Sequence, residues 1–150
     1  MALHPTRDRR GFRPNREAVI DHVSIQVRDL KAAADFYRKV LAPLGFTVLA
    51  DRPATVGFGR RYPEFWLNAR PDAPSARADT GFHVCLRARD RATVDAFHRI
   101  ALAEGGTGDG APGERQVAVT TCYAAFIRDR DGNRIEVVTF PRQQATAGQP

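Results

Sequence analysis

Polar and apolar residues alternate along residues 19–28, with Val23, Ile25 and Val27 on one side and His22, Ser24 and Gln26 on the other, which predicts a strand with one buried face. Asp29 then stands as an N-cap. Leu30, Ala33, Phe36, Val40 and Leu44 recur near helical spacing, so a helix is expected to run to about Leu44 and stop at Gly45. Residues 46–50, 55–59 and 64–68 read as three more strands between turn-forming segments, and 69–79, with two prolines and no apolar pattern, as a linker. The plan then repeats. Residues 82–88 set Val84 and Leu86 against His83, Cys85 and Arg87, Asp90 caps a helix carrying Val94, Phe97 and Ala101, and Gly105-Gly106 ends it. A glycine-rich loop is expected over 105–113, then strands at 117–120, 123–128 and 134–140, with a tight turn at Asp131-Gly132-Asn133. That loop trails a helix and leads into a strand, the reverse of the order that aims backbone amides at a phosphate.

A shift of 61 residues superimposes the halves: His22-Val23 on His83-Val84, Arg28-Asp29 on Arg89-Asp90, Phe36 on Phe97, Leu41-Ala42 on Leu102-Ala103 and Gly45 on Gly106. The chain is therefore expected to hold one α+β domain, residues 19–141, made of two tandem βαβββ modules, 19–68 and 80–141, joined by the linker 69–79. A flexible basic arm, 1–18, and a flexible tail, 142–150, would flank it. Each module alone is too small to bury an adequate core, so the two should share one, forming a curled mixed sheet with the helices on its outer face.

Composition narrows the function classes. At 43% hydrophobic and 27% charged the chain is ordinary for a soluble protein, and no apolar run approaches the ~18–20 residues of a membrane helix. Residues 1–17 have no apolar core of signal-peptide type, so a cytoplasmic location is expected, with Cys85 and Cys122 as reduced thiols. The net charge of +6 invites a nucleic-acid partner, yet five arginines against Asp8 and Glu17 put half of it in the arm. The rest is spread without a one-sided basic stripe, which argues against nucleic-acid binding.

The candidate chemistry follows from the faces. His22, His83 and Glu136 each project opposite the apolar residues of their strands, and a concave helix-free face would gather them into one cup. Two imidazoles and a carboxylate suit a divalent ion, with zinc, nickel, manganese and iron not distinguishable, and three protein ligands leave positions open for water and substrate. Cys85 shares the face of His83 and would line the cup, as would Phe126. Tyr123 is either a proton donor in the cup or a packing residue, and His98, beside the inward Phe97, is expected to be exposed.

The pattern Asp21-His22-Val23, Arg28-Asp29 and Phe36-Tyr37, then Phe82-His83-Val84, then Phe126 through Asp129, Asp131-Gly132-Asn133 and Ile135-Glu136, resembles the vicinal oxygen chelate superfamily. That group includes glyoxalase I, methylmalonyl-CoA epimerase, extradiol dioxygenases and the fosfomycin- and bleomycin-resistance proteins. The resemblance spans residues 19–140 and implies metal ligation by His22, His83 and Glu136. It also implies a homodimer, with modules paired within a chain or exchanged between chains. In one respect the chain departs from glyoxalase I and the epimerase, which add a carboxylate on the last strand of the first module. Trp66 occupies that place here, and Glu64, two residues earlier, is the nearest candidate ligand or base. The resemblance implies a metal-dependent, glyoxalase-like lyase or isomerase acting on a small oxygen-chelating substrate. The alternatives are a small dioxygenase, or a metal-free binding protein holding a flat ligand with Phe58, Tyr62, Trp66 and Tyr123. Arg52, Arg60 and Arg61 are candidate attractors for an anionic substrate.

Overall fold

The computed structural model describes residues 19–75, 79–118 and 120–140. The arm at 1–18, the chain from 141 through the tail at 142–150, and linker residues 76–78 lie outside the described residues. In the first module β1 (Val23–Val27) leads into α1 (Leu30–Val40), followed by β2 (Thr47–Arg52), β3 (Thr55–Gly59) and β4 (Phe65–Ala69). The second module matches it with β5 (Val84–Arg87), α2 (Arg91–Ala103), β6 (Thr107–Val117), β7 (Thr120–Arg128) and β8 (Arg134–Thr139). Both helices start at the expected aspartates: Asp29 accepts from the Ala32 amide and Asp90 from the Thr93 amide. Pro43, which has no N–H to donate, ends α1 at Val40, and a 3₁₀ turn over Ala42–Leu44 replaces the last stretch of the expected helix.

Each module makes a four-stranded mixed sheet, ordered β1-β4-β3-β2 and β5-β8-β7-β6. The first and last strands of each module pair in parallel, and the repeat reappears in the register: Val23 faces Phe65 and Ser24 faces Trp66, while Val84 faces Ile135 and Cys85 faces Glu136. The α+β reading as two tandem βαβββ modules therefore stands. The glycine-rich stretch is corrected, since most of it belongs to β6, an edge strand bonded to β7 alone. Its register slips between Gly108 and Gly110 and again between Gly110 and Gly113, so glycines and Pro112 are tolerated where bulges and an open edge relax the ladder. The strand expected at 117–120 is instead where β6 turns into β7, and Val119 lies outside the described residues.

Buried residues of both modules form one core, with Tyr37, Phe58, Phe65 and Phe97 among its largest members. Each such aromatic contributes on the order of 2–3 kcal/mol by leaving water. Gly106 lets the modules close, because a Cβ there would lie 3.2 Å from Phe36 Cε2 and 2.9 Å from the Ala101 carbonyl oxygen. A polar clamp crosses the same boundary. Tyr37 on α1 donates to Asp129 (2.8 Å), Asn133 Nδ2 donates to the Gln26 carbonyl (2.9 Å), and Arg28 Nε donates to Asp131 (2.9 Å). The turn before β8 is thus tied to the end of β1, which fixes where β8 and its Glu136 begin. Among the described residues no helix is long and apolar enough to cross a membrane.

Candidate functional site

The helix-free faces carry two groups of polar side chains, one per module. On the second, His83 directly precedes β5 and Glu136 lies on β8, and His83 Nε2 sits 3.0 Å from Glu136 Oε2. Phe126 stands opposite Glu136 in the β7–β8 register, with its ring 5.7 Å from the His83 ring in an edge-on arrangement. Cys85 is an exposed residue of the edge strand, but its thiol lies against Glu136. Loss of solvent there, and then the carboxylate charge, push the thiol up to about 12, which opposes formation of the thiolate.

On the first module His22 directly precedes β1, and its Nδ1 lies 2.7 Å from Asp21 Oδ2. Tyr62 donates to the same carboxylate oxygen at 3.0 Å, and hydrogen bonds from His22 and then Tyr62 hold Asp21 below the usual carboxylate range. Trp66 and Glu64 share this face. Glu64 is exposed, and its backbone brackets the strand start, with the amide on the Phe58 carbonyl and the carbonyl accepting from Val23.

The orientation of the two imidazoles is the informative feature. Each turns Nδ1 toward an oxygen beside its own strand start, Asp21 Oδ2 for His22 and the Gly81 carbonyl, at 3.5 Å, for His83. A hydrogen on Nδ1 of His22 satisfies Asp21 and leaves that ring's Nε2 with a free lone pair, the arrangement by which outer carboxylates set metal-ligating histidines, whereas Nε2 of His83 is turned to Glu136 Oε2 and would meet an ion beside that carboxylate. The donor set fits a divalent ion. Yet the described residues of one chain contain no group of three His, Cys, Asp or Glu side chains able to hold a metal. His83 and Glu136 are brought together, and His22 stays with Asp21 and Tyr62.

Several expected site residues fall elsewhere. Phe58 is fully buried in the core, because β3 turns Val56 and Phe58 toward the helices and leaves Gly57 on the cup side. Tyr123 is likewise on the helix side, packed against the core with its hydroxyl donating to Asp95 of α2 at 2.7 Å. Strand alternation puts it opposite Phe126 and Glu136, so a proton-donor role in the cup is excluded. Arg60 donates to the Leu44 carbonyl at 2.9 Å, bracing the turn after α1. His98 is half-buried, not exposed, and its Nε2 is buried with no hydrogen-bond partner among the described residues.

Sequence reasoning missed Asp21 and two arginines. Asp21 could have been found, since an aspartate beside a candidate ligand is a natural orienting group. Arg134 and Arg115 place their guanidinium carbons 4.4 and 5.7 Å from the Phe126 ring centre. Arg134 pairs with Asp109 at 2.7 Å, whereas Arg115 donates to the Ala111 carbonyl and has no carboxylate partner among the described residues. Reading β6 as a loop hid the face that Arg115 takes.

Residues 19–137 match the family model described as the Glyoxalase/Bleomycin resistance protein/Dioxygenase superfamily. The metallothiol transferase FosB of Shouchella clausii is 28% identical over 122 residues, covering 80% of this chain and 79% of that protein. A glyoxalase/bleomycin resistance protein from Albidiferax ferrireducens T118 is 31% identical in its crystal structure, with a TM-score of 0.68 over 78% of this chain and 95% of that one. The fold is also that of the fosfomycin resistance protein FosX from Listeria monocytogenes, a point mutant of which was solved with Mn(II) and 1S,2S-dihydroxypropylphosphonic acid. That structure is 15% identical, with a TM-score of 0.62 over 82% of this chain and 90% of that one.

Proposed function

Because the chain belongs to the glyoxalase/bleomycin resistance protein/dioxygenase superfamily, we propose that it is a metal-dependent enzyme whose site is completed between two copies. His22 of one subunit would join the partner subunit's His83 and the partner subunit's Glu136. A two-fold dimer makes two such sites at once, since each chain contributes one half to each. The observation that supports this reading is that one chain pairs His83 with Glu136, while His22, with its Nδ1 on Asp21, forms no three-ligand group with them among the described residues. When bound, the ion supplies Lewis acidity toward oxygens of a small substrate. Around it the chain's own residues have distinct work. Asp21 and the Gly81 carbonyl hold the rings, Phe126 walls off water, and Arg115 adds positive potential toward an anionic substrate.

Trp66 bears on the reaction type. A proton-shuttling isomerase needs a base beside the substrate carbon, and the first-module position matching Glu136 holds an indole that cannot serve as one. Addition of an external nucleophile to an ion-polarised substrate needs no such base. We therefore favour a lyase or group-transfer activity on a small oxygen-chelating molecule, in line with the name of the FosB relative, a metallothiol transferase. Metal analysis of protein purified without added metal tests the site. The wild type should carry about one ion per chain, and both His22→Ala and Glu136→Ala should lose it without a change in circular dichroism. Full metal retained by Glu136→Ala would contradict the proposal.

A further inference from the structure

The indole of Trp66 is held as a flat platform. Opposite it in the β3–β4 register is Gly57, and a Cβ built there would lie 3.0 Å from both Cε3 and Cη2 of the indole and 2.9 Å from Pro63 Cβ. An edge-on ring would bring Cζ3, which lies between those two atoms, nearer than either, and it is not among the three nearest atoms, so the ring face lies over the glycine and the absence of a side chain at position 57 makes the shelf. The other end is fastened as well, because Nε1 donates to the Pro63 carbonyl at 3.2 Å. On the β1 side its neighbour is Ser24, another small residue. Trp66 remains half-exposed, and the Arg52 guanidinium carbon lies 5.8 Å from the ring centre with no carboxylate partner among the described residues.

A tryptophan needed only for packing would turn toward the core, as its strand neighbours Phe65 and Leu67 do. This one lies on the opposite face, two residues along from Glu64 and in the position that mirrors Glu136. We infer that the ligand of this site carries a planar conjugated group with an adjacent anionic charge, such as an aromatic carboxylate, which stacks on Trp66 while Arg52 faces its charge. The location in the cup rests on the metal-site reading above, but the stacking does not need the ion. A ring already fixed at both ends loses little freedom when a flat partner covers it, so the stacking attraction is retained as affinity.

The probes are 2-naphthoate and its saturated decahydro analogue, equal in charge and carbon count but different in planarity. Calorimetry and quenching of the chain's single tryptophan are read on the full chain, once stripped with chelator and once loaded with Zn²⁺. We expect 2-naphthoate to bind about tenfold tighter than the decahydro acid, the factor a single stacking contact supplies. Trp66→Leu should erase that preference, Trp66→Phe should keep most of it, and Arg52→Gln should weaken both acids alike. Equal affinity for the two acids, a preference that survives in Trp66→Leu, or no binding of either at millimolar concentration would each overturn the inference. A protein that holds stoichiometric metal yet fails these tests refutes the stacking alone, and one that passes them without taking up metal refutes the metal site alone.

Discussion

Replacing Tyr37 with phenylalanine removes one oxygen from the boundary between the modules. Tyr37 is fully buried, and its hydroxyl donates to Asp129 Oδ2 at 2.8 Å, while Asp129 itself is 7% exposed. The carboxylate has other donors: Asn133 Nδ2 on the same oxygen, and the amides of Asp131 and Asn133 on Oδ1. One of four donors is therefore lost, and the ring keeps its packing. A hydrogen bond to a charged group contributes roughly 1.5–3 kcal/mol, so Tyr37→Phe should cost about 2 kcal/mol and lower Tm by about 4–8 °C. The cost should depend on pH. Burial holds Asp129 above the usual carboxylate range, and the hydrogen bonds from Asn133 and Tyr37 oppose that shift. Losing the hydroxyl raises this pKa further, so the difference between the proteins is full where Asp129 is ionised in both and shrinks as pH falls from the variant's higher value to the wild-type value, below which it no longer changes. Urea unfolding followed by circular dichroism at pH 7 and at acid pH reads both effects. A change below about 0.5 kcal/mol at pH 7, or a pH-independent one, would refute the view that this clamp joins the modules.

Two further substitutions probe the scaffold. His98→Leu should raise Tm by about 2–4 °C, because it removes a buried nitrogen without a partner, worth about 1 kcal/mol. Burial depresses the His98 pKa against the opposing charge of Asp95, and stability from a depressed group is lost as pH falls through the folded value. Between pH 7.5 and 5.5 the wild type should thus lose more stability than His98→Leu; equal losses would show that this ring does not titrate with unfolding. Gly59→Ala should cost about 3 kcal/mol or more and greatly reduce the yield of folded protein, since its Cβ would lie 1.7 Å from the Tyr62 carbonyl oxygen, a backbone atom that cannot step aside. Near-wild-type stability of that variant would mean that the turn into β4 is looser than the structure has it.

The repeat and the alternation of residues 19–28 and 82–88 carried most of the fold, because a strand with one buried face and an aspartate-capped helix are both written in local spacing. Strand β6 was hidden, since glycines and a proline mask an edge strand whose ladder is interrupted by bulges. The pairing of His83 with Glu136 was legible, as both positions follow from strand parity. Parity also excluded Tyr123 from the face of Phe126, an odd step away on one strand, and that inference was available from the sequence. What local spacing could not reveal is how the two helix-free faces stand to each other, since that depends on the packing of α1 against α2 and on the clamp at Asp129 and Asn133. The separation of His22 from its expected co-ligands comes from this tertiary level.

Mixing two defective variants tests the shared site most directly. In a heterodimer of His22→Ala with Glu136→Ala, one of the two sites receives both damaged positions and the other receives neither. Co-expressed with separate tags and isolated as the heterodimer, the pair should bind about one metal ion per dimer, half the wild-type content, while each variant alone binds none. A heterodimer as empty of metal as its parents would place all three ligands within one chain and contradict the account.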